Sequence, residues 1–311
     1  KQKGVYVWES LDGKHKTTLN PYFVTGFTDA EGSFIIRVNK NSSYKTGWVV
    51  QAIFSICLHI EDLPLLLSIQ EFFGGIGSIT KDLKNNSALF TITKLDDITN
   101  VIIPHFYSYP LVSKKPLDFV LWSKVVNIIK SKIHLTKEGL REIVNIKASL
   151  NNKLTPELLT AFPDVNPVSR EVMDKLTNIN PYWLTGFITG DGSFSASSRN
   201  NKRNAFRVRF FLTQHSRDLE LLNLIKNYFS GVGSISKNGS GFNYEIGSYK
   251  DCYTHILPFF LKYPIPSTAI KYYNFEIWKE ILEIMIQKKH KTEEGAQQIN
   301  GLLLKLNKYN S

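Results

Sequence analysis

Two stretches of the chain alternate apolar and polar residues as a half-buried β-strand does. Residues 34–38 place apolar side chains at every second position, and residues 206–210 do the same around Arg207 and Arg209. This alternation predicts strands with one apolar face packed on a core and one polar face. The polar face of each predicted sheet carries basic and amide groups.

Other stretches have the period of an α-helix. Residues 21–31 and 181–191 hold almost no solvent-type side chains, so we expect two buried helices. Each begins with Asn-Pro, typical of an N-cap followed by proline at the first helical position, and each is followed by a glycine typical of a helix end. Amphipathic helices are predicted over residues 62–73, 117–133, 218–229 and 272–287.

The two halves of the chain restate one another, with Asp191 standing 160 residues after Glu31 (191 − 31). A period of this length is that of a whole domain. We predict an N-terminal module at 1–150, a proline-interrupted linker at 151–178 and a C-terminal module at 179–311, each with the order helix, two strands, helix, two strands, helix. The aligned landmarks are Leu19–Phe27 with Ile179–Phe187, Phe73–Ile79 with Phe229–Ile235, and Pro104, Tyr109, Trp122 and His134 with Pro258, Tyr263, Trp278 and His290.

The composition is that of a folded, basic protein. Lys and Arg number 38 against 27 Asp and Glu, a formal charge of +11, and 42% of the residues are apolar. Excess positive charge favours a polyanionic partner through counterion release from phosphates. Cys57 and Cys252 lie in separate halves and show no metal-ligand spacing, so we expect no disulfide framework and a reducing compartment. The chain shows neither a membrane-spanning apolar run nor a signal-peptide core at its N-terminus, so no membrane partner is expected.

Small residues are spaced for a close contact between the two buried helices. Gly26 and Ala30 are four residues apart, as are Gly186 and Gly190, so each pair lies on one helix face. If the helices pack on each other there, their backbones approach closely and each delivers an acid at the same end of the pair.

Each of these helices ends on an acid, Glu31 or Asp191. A helix C-terminus presents unpaired carbonyl groups and about half a negative charge, so carboxylates placed there need a counter-charge. Mg²⁺ and Ca²⁺ prefer carboxylate and carbonyl ligands, and a bound cation could activate a phosphodiester for hydrolysis. The alternative is that both acids are incidental caps on core helices. Duplication of the whole pattern, acid included, disfavours it.

The two nonapeptides Val24–Gly32 (VTGFTDAEG) and Leu184–Gly192 (LTGFITGDG) resemble the paired signatures of LAGLIDADG homing endonucleases. The resemblance is to the single-chain, two-motif form, and the Gly-Ser-Phe extensions are similar to those of the I-OnuI-type subgroup. It implies an α+β fold in which two pseudo-twofold related αββαββα modules form a saddle of antiparallel sheets, with the motif helices packed at the interface.

The same resemblance implies the chemistry. Glu31 and Asp191 would be catalytic metal ligands, with the Ala30 and Gly190 carbonyls as additional ligands, and Mg²⁺ would be the cofactor, for which Ca²⁺ or Mn²⁺ can substitute. Cleavage of double-stranded DNA would leave short 3′ overhangs. One departure from the family pattern is that the internal acid of the first motif, Asp29, is replaced by Thr189 in the second.

Three further polar residues are candidates for the catalytic site. Lys115 and Lys271 occupy equivalent positions before the third helix of each module, with ordinary solvated lysines as the alternative. Gln214 resembles a polar active-site position, but its repeat partner is Leu58, so we expect an asymmetric site. His59 and His215 align with each other without zinc-ligand spacing, and packed or hydrogen-bonded histidines are the more common explanation.

DNA contacts are predicted from strand and hairpin residues on the polar sheet faces. Arginine suits guanine, asparagine suits adenine, and lysine more often meets phosphate. For any single residue, the alternative is a solubilising surface charge. The candidates are Arg37, Asn39, Lys40, Asn41, Tyr44, Lys45, Lys81 and Lys84 in the first half, and Arg199, Asn201, Lys202, Arg203, Arg207, Arg209 and Lys237 in the second.

These inferences predict a monomeric, metal-dependent endonuclease that cuts a partly palindromic duplex site of about 20 base pairs, one helical turn per module. Two alternatives are a maturase that binds its host intron RNA and a DNA-binding protein without catalysis. Retention of both acids favours cutting. Richness in Lys, Asn and Ile, residues of A/T-rich codons, indicates a mitochondrial or other organellar intron gene.

Overall fold

The structure is a computed structural model, and it describes residues 19–150, 154–169, 178–198 and 205–308 of the 311. The described residues contain no helix long and apolar enough to cross a membrane. Two runs of the same elements follow one another along the chain, which agrees with the predicted repeat.

The first run begins with the motif helix and ends with an amphipathic helix whose Lys147 ammonium donates to the Ile36 carbonyl of the sheet at 2.8 Å. Its elements are α1 (Pro21–Glu31), β1 (Gly32–Lys40), β2 (Trp48–His59), a 3-10 turn (Ile60–Asp62), α2 (Leu63–Phe72), β3 (Ser78–Asp82), β4 (Ser87–Ile92), α3 (Leu95–Asp97), a π-helical turn (Ile98–Ile102), α4 (Ile103–Ser108), α5 (Lys115–Lys130), a 3-10 turn (Ile133–Leu135) and α6 (Lys137–Ser149).

The second run repeats this order after one short helix, α7 (Pro156–Ala161), in the predicted linker. Its elements are α8 (Pro181–Asp191), β5 (Gly192–Ser198), β6 (Phe206–His215), a 3-10 turn (Ser216–Asp218), α9 (Leu219–Tyr228), β7 (Ser234–Asn238), β8 (Gly241–Ile246), α10 (Tyr249–Asp251), a π-helical turn (Cys252–Ile256), α11 (Leu257–Lys262), α12 (Ile270–Ile286), a 3-10 turn (Lys289–Lys291) and α13 (Glu293–Lys308).

Each run forms a four-stranded antiparallel sheet, in the orders β1-β2-β4-β3 and β5-β6-β8-β7. The apolar side chains at every second position of the strands form the buried face of each sheet. Phe34 pairs with Phe54, and Phe194 with Phe210, all four buried. The α+β prediction with two antiparallel sheets in repeated modules is confirmed.

An aromatic cluster fills the core beneath each sheet. The Phe34 ring centroid lies 5.2 Å from the centroids of Phe119 and Trp122, and Phe194 lies 5.2 Å from Phe275 and 5.3 Å from Trp278. Because these partners lie on α5 and α12, the clusters fix those helices against the strands that follow the motif helices. Mutual packing of large aromatic rings contributes strongly to such cores.

The motif helices end where predicted, but for a different reason at Gly192. This residue has φ −79° and ψ 160°, so it is extended rather than left-handed and starts β5 directly. A Cβ there would overlap the Ile188 side chain and lie 2.7 Å from the Ile188 carbonyl oxygen. Glycine is therefore required for space, not for a positive φ.

The chain divides into two compact units whose limits cross the repeat. Among the described residues, one unit comprises 19–30, 61–68 and 178–308, and the other comprises 31–60 and 69–169. Most of α1 and the short segment 61–68 thus belong with the elements of the second run. The described part of the linker packs in the other unit, where the Phe162 ring lies 5.9 Å from that of Trp48.

Candidate catalytic site and sheet faces

The two motif helices cross with their backbones in contact at equivalent glycines. A Cβ at Gly26 would overlap the Trp183 carbonyl and lie 3.0 Å from the Phe187 nitrogen. A Cβ at Gly186 would overlap the Phe23 carbonyl and lie 2.8 Å from the Phe27 nitrogen. Only glycine allows this approach, so the prediction from small-residue spacing is confirmed at these two positions.

The departure between the two motifs is explained inside this helix pair. The buried Asp29 carboxylate accepts a hydrogen bond from the Trp183 indole N–H at 2.8 Å. The equivalents of these residues are Thr189 and Phe23. Thr189 donates its hydroxyl to the Thr185 carbonyl at 2.7 Å within its own helix. The acid and its donor therefore occur together on one side of the crossing, and both are replaced on the other side.

Asp191 is the last residue of α8 and is half-buried. The Gln214 side-chain amide donates to Asp191 Oδ2 at 2.6 Å, which fixes the carboxylate against β6. The Lys271 ammonium donates to the carbonyl of Gly192, the next residue along the chain. Gln214 therefore bonds to the Asp191 carboxylate, and Lys271 bonds to the carbonyl that follows it.

Glu31 holds the equivalent position at the end of α1 and is also half-buried. The Lys115 ammonium donates to the Gly32 carbonyl at 2.7 Å, as Lys271 does to Gly192. The residue equivalent to Gln214 is the buried Leu58. The two half-sites therefore share an acid and a lysine but differ in the amide, which agrees with the expected asymmetry.

Lys115 and Lys271 reach their carbonyls because each stands in the first turn of a helix. Helix α5 begins at Lys115 and α12 at Ile270, and the buried indoles Trp122 and Trp278 anchor both helices. The Trp122 N–H donates to the Ile35 carbonyl at 3.1 Å, and the Trp278 N–H donates to the Arg209 carbonyl at 3.2 Å. These two hydrogen bonds hold α5 against β1 and α12 against β6.

The donor chemistry of these half-sites suits a hard divalent cation. Glu31 and Asp191 supply carboxylate oxygens, and the helix ends beside them supply carbonyl oxygens from Ala30 and Gly190. Mg²⁺ and Ca²⁺ bind oxygen ligands, and Mg²⁺ commonly takes one or two carboxylates and completes its shell with water and phosphate. The described residues contain no cluster of three or more His, Cys, Asp or Glu placed for a metal.

The candidate DNA-contacting residues of the first half are exposed, except for the half-buried Asn41. Arg37 and Asn39 project from β1 on the face opposite Phe34, Ile36 and Val38. The remaining candidates near this sheet lie at the end of β1, in the turn to β2 and in the β3–β4 turn: Lys40, Asn41, Tyr44, Lys45 and Lys84.

The predicted orientation of Lys81 and Lys237 on the polar sheet faces is wrong. Lys81 pairs with Ala88 and Lys237 with Phe242, so both project on the core side of the outermost strand, where they remain exposed. Paired residues of neighbouring strands share a face. Side chains in these short strands do not alternate clearly, so the sequence carried no signal for this orientation.

In the second half, Arg207 and Arg209 lie on the polar face and share one carboxylate, which offsets one of their two positive charges. Both pair with the carboxylate of Glu245 on β8, with Arg209 at 3.3 Å. Sequence reasoning missed Glu245, although its alternation with the buried Tyr244 and Ile246 marks it as a polar-face residue. Arg199, Asn201, Lys202 and Arg203 lie outside the described residues.

His59 and His215 are exposed at the ends of β2 and β6. The His215 ring nitrogen accepts a hydrogen bond from the Arg217 backbone N–H at 3.3 Å, which is a turn-stabilising contact. This contact agrees with a hydrogen-bonded role rather than metal binding.

Paired sheet modules, each preceded by a glycine-bearing helix that ends on an acid, define a class of endonucleases. The sequence model of the LAGLIDADG endonuclease family matches residues 24–126 and 184–282. The chain belongs to this family and carries two motifs in one polypeptide.

Two probable intron-encoded endonucleases are similar over most of this chain. It is 38% identical over 291 residues to probable intron-encoded endonuclease 3 of Neurospora crassa, and 36% identical over 292 residues to probable intron-encoded endonuclease 2 of the same fungus. These alignments cover 92% and 90% of this chain but 54% and 64% of the relatives, so the chain spans between half and two thirds of their length.

Solved structures of two homing endonucleases have the same fold. I-SmaMI bound to an uncleaved DNA target in the presence of calcium ions is 40% identical, with TM-score 0.89, over 93% of this chain and 99% of that one. I-SmaMI bound to cleaved DNA gives a TM-score of 0.90. I-GzeII in complex with its DNA target is 33% identical, with TM-score 0.87, over 94% of this chain and 100% of that one.

Proposed function

We propose that this chain is a monomeric, metal-dependent endonuclease that cuts both strands of one long DNA site. The observation that carries the proposal is the duplicated helix end. An acid closes each motif helix, and a lysine from a later helix holds the next carbonyl. A helix that serves only the hydrophobic core has no need of a terminal acid or of a lysine on the next carbonyl, and here both occur in each repeat.

The helix crossing supports joint action of the two acids. Glu31 stands five residues after Gly26, and Asp191 stands five residues after Gly186. At about 1.5 Å rise per residue, each acid lies about 7.5 Å along its helix from the glycine contact. Equal distances from one crossing favour two carboxylates serving one catalytic centre.

Within this centre we assign Glu31 and Asp191 as metal ligands, with the Ala30 and Gly190 carbonyls beside them. A bound Mg²⁺ would activate water and stabilise the leaving oxygen, and Ca²⁺ or Mn²⁺ could occupy the same oxygen ligands. Gln214 holds the Asp191 carboxylate in orientation. Lys115 and Lys271, fixed by the Gly32 and Gly192 carbonyls, place positive charge where a scissile phosphate would be bound.

For the sheets we propose binding in the major groove of about 20 base pairs of duplex DNA, one turn for each module. Arg37 and Asn39 are suited to base edges, and the exposed lysines to phosphates. The two modules are residues 1–150 and 179–311, joined by 151–178, and they differ in sequence, so the site is only partly palindromic. The DNA-bound structures of I-SmaMI and I-GzeII support a DNA target.

Two finer assignments complete the proposal. The Gly-Ser-Phe extensions favour the I-OnuI-type subgroup. Intron-encoded relatives in fungi, together with similarity at 23% identity to the uncharacterized mitochondrial protein RF1 of Saccharomyces cerevisiae, support an intron gene and action in the mitochondrion.

Selection from a randomised duplex library tests this function. The protein is incubated with the library in Mg²⁺, and the ends of cut molecules are sequenced. We expect one partly palindromic family of sites with short 3′ overhangs, and no cutting in EDTA. The double variant Glu31→Gln/Asp191→Asn is the background control. Failure to enrich any site in Mg²⁺ or Mn²⁺, or enrichment equal to that control, contradicts the proposal.

A further inference from the structure

Helix α12 lacks a capping side chain at its own N-cap. It begins at Ile270, and the side chain of the residue before it, Ala269, has no atom that can accept a hydrogen bond. The first turn of a helix exposes backbone N–H groups that have no partner inside the helix. This turn also carries Lys271, the residue that holds the Gly192 carbonyl.

The missing acceptor comes from the other repeat. Asp62 Oδ1 accepts the Ile270 backbone N–H at 2.9 Å, although the two residues are 208 positions apart. Asp62 ends the 3-10 turn after β2, and the segment 61–68 belongs to the same compact unit as α12. A residue of the first repeat thus supplies the hydrogen-bond acceptor for the first backbone N–H of a helix in the second repeat.

The first repeat shows what Ala269 has lost. Its equivalent is Ser113, whose hydroxyl oxygen accepts the Lys115 backbone N–H at 3.0 Å. Helix α5 therefore has a local acceptor just before its lysine. In the second repeat, Ala269 has only a methyl group at this position. The Asp62 carboxylate instead accepts the first backbone N–H of α12.

We propose that Asp62 is a positioning residue for Lys271, and through it for the Asp191 half-site. This inference rests on the proposed endonuclease function. Without the Asp62 bond, the first turn of α12 frays, and Lys271 spends less time on the Gly192 carbonyl. The carboxylate also lies favourably at the positive end of the helix dipole. Asp62 itself contacts no reacting atom in this scheme.

Single-turnover cleavage of the site recovered from the library tests the proposal. Asp62→Ala is expected to cut on the order of tenfold more slowly, the range of a lost helix cap. Asp62→Asn keeps the Oδ1 acceptor and is expected to retain most of the rate. The matched control is Thr292→Ala, because Thr292 Oγ1 accepts the Gly295 N–H at 3.1 Å at the start of α13, in the same unit but away from the acids.

A second background separates positioning from general destabilisation. In Lys271→Ala, the further change Asp62→Ala should slow cleavage by less than twofold, since the residue it positions is already gone. Thr292→Ala should leave the cleavage rate unchanged at temperatures where every variant is folded. If the double variant slows cleavage by the product of the two single-variant factors, the proposal is overturned. A wild-type cleavage rate for Asp62→Ala also overturns it.

Hydrogen exchange of the intact protein tests whether Asp62 caps α12, and it does so without measuring activity. Amides in the first turn of α12 should exchange several-fold faster in Asp62→Ala than in wild type or in Thr292→Ala. Unchanged exchange refutes the capping role even if no duplex is ever cut. Absence of cutting by wild type, with faster exchange in Asp62→Ala, would instead defeat the proposed function alone.

Discussion

The buried bond between Asp29 and Trp183 makes a quantitative prediction about the helix pair. Trp183 is 0% exposed and Asp29 is 4% exposed, so solvent cannot replace either partner. The chain itself offers matched replacements, because the equivalent residues are Phe23 and Thr189. Trp183→Phe keeps a ring to stack on Phe187, as Phe23 does on Phe27.

The expected cost follows from the burial. Trp183→Phe removes a donor to a buried carboxylate, a bond worth roughly 1.5–3 kcal/mol, and leaves a small cavity, so we expect a loss of about 3 kcal/mol in the free energy of unfolding. Asp29→Thr leaves the indole N–H without its acceptor, at a cost of about 1–3 kcal/mol. In the double variant both the indole donor and the carboxylate acceptor are gone, so no buried group is left unpaired. The interaction energy between the two changes should therefore reach about 2 kcal/mol.

Urea unfolding followed by circular dichroism measures this double-mutant cycle. The midpoint and slope of each variant give the unfolding free energies, provided that two probes report coincident transitions. Additivity of the two single changes within about 0.5 kcal/mol would refute the assigned bond.

Three further predictions concern packing, pH and salt. Gly26→Ala should destabilise the protein by about 3 kcal/mol or prevent folding, because its Cβ overlaps the Trp183 carbonyl, whereas Gly301→Ala, in an open helix position, should stabilise by about 0.5–1 kcal/mol in the same unfolding assay. Burial lowers the pKa of His105 from 6.5 to about 3, so the unfolded state takes up the proton first and stability falls as pH drops below 6.5. His105→Phe should flatten that fall between pH 6.5 and 5, and an identical pH dependence in both proteins would contradict the burial effect. DNA affinity in Ca²⁺ should fall steeply with added salt in a filter-binding titration, and a flat response would contradict phosphate binding by the basic sheets.

The sequence predicted the elements whose local pattern is strong. β1 and β6 followed from apolar residues at every second position, and α1 and α8 from their apolar composition and paired glycines. Helices α6 and α13 were missed, although Leu140, Ile143 and Val144 in α6 have helical spacing, so that signal was present. The π-helical turns had no such signal, because their widened backbone depends on neighbouring packing.

The candidate site was predictable as far as it depends on the repeat. Glu31 and Asp191 stand out because they end duplicated helices, and Lys115 and Lys271 because they align. The partners of Asp29 and Ile270 lie 154 and 208 residues away, and only the fold brings them together. Long-range pairs of this kind leave no periodic trace in one sequence.

Cleavage and binding by the single variants Glu31→Gln and Asp191→Asn test the central claim most directly. Both variants keep side-chain size and remove one carboxylate charge from a helix end. We predict that each loses double-strand cleavage in Mg²⁺ while its affinity for the target changes little. Full cutting of both strands by either variant would show that the paired acids are not the catalytic centre.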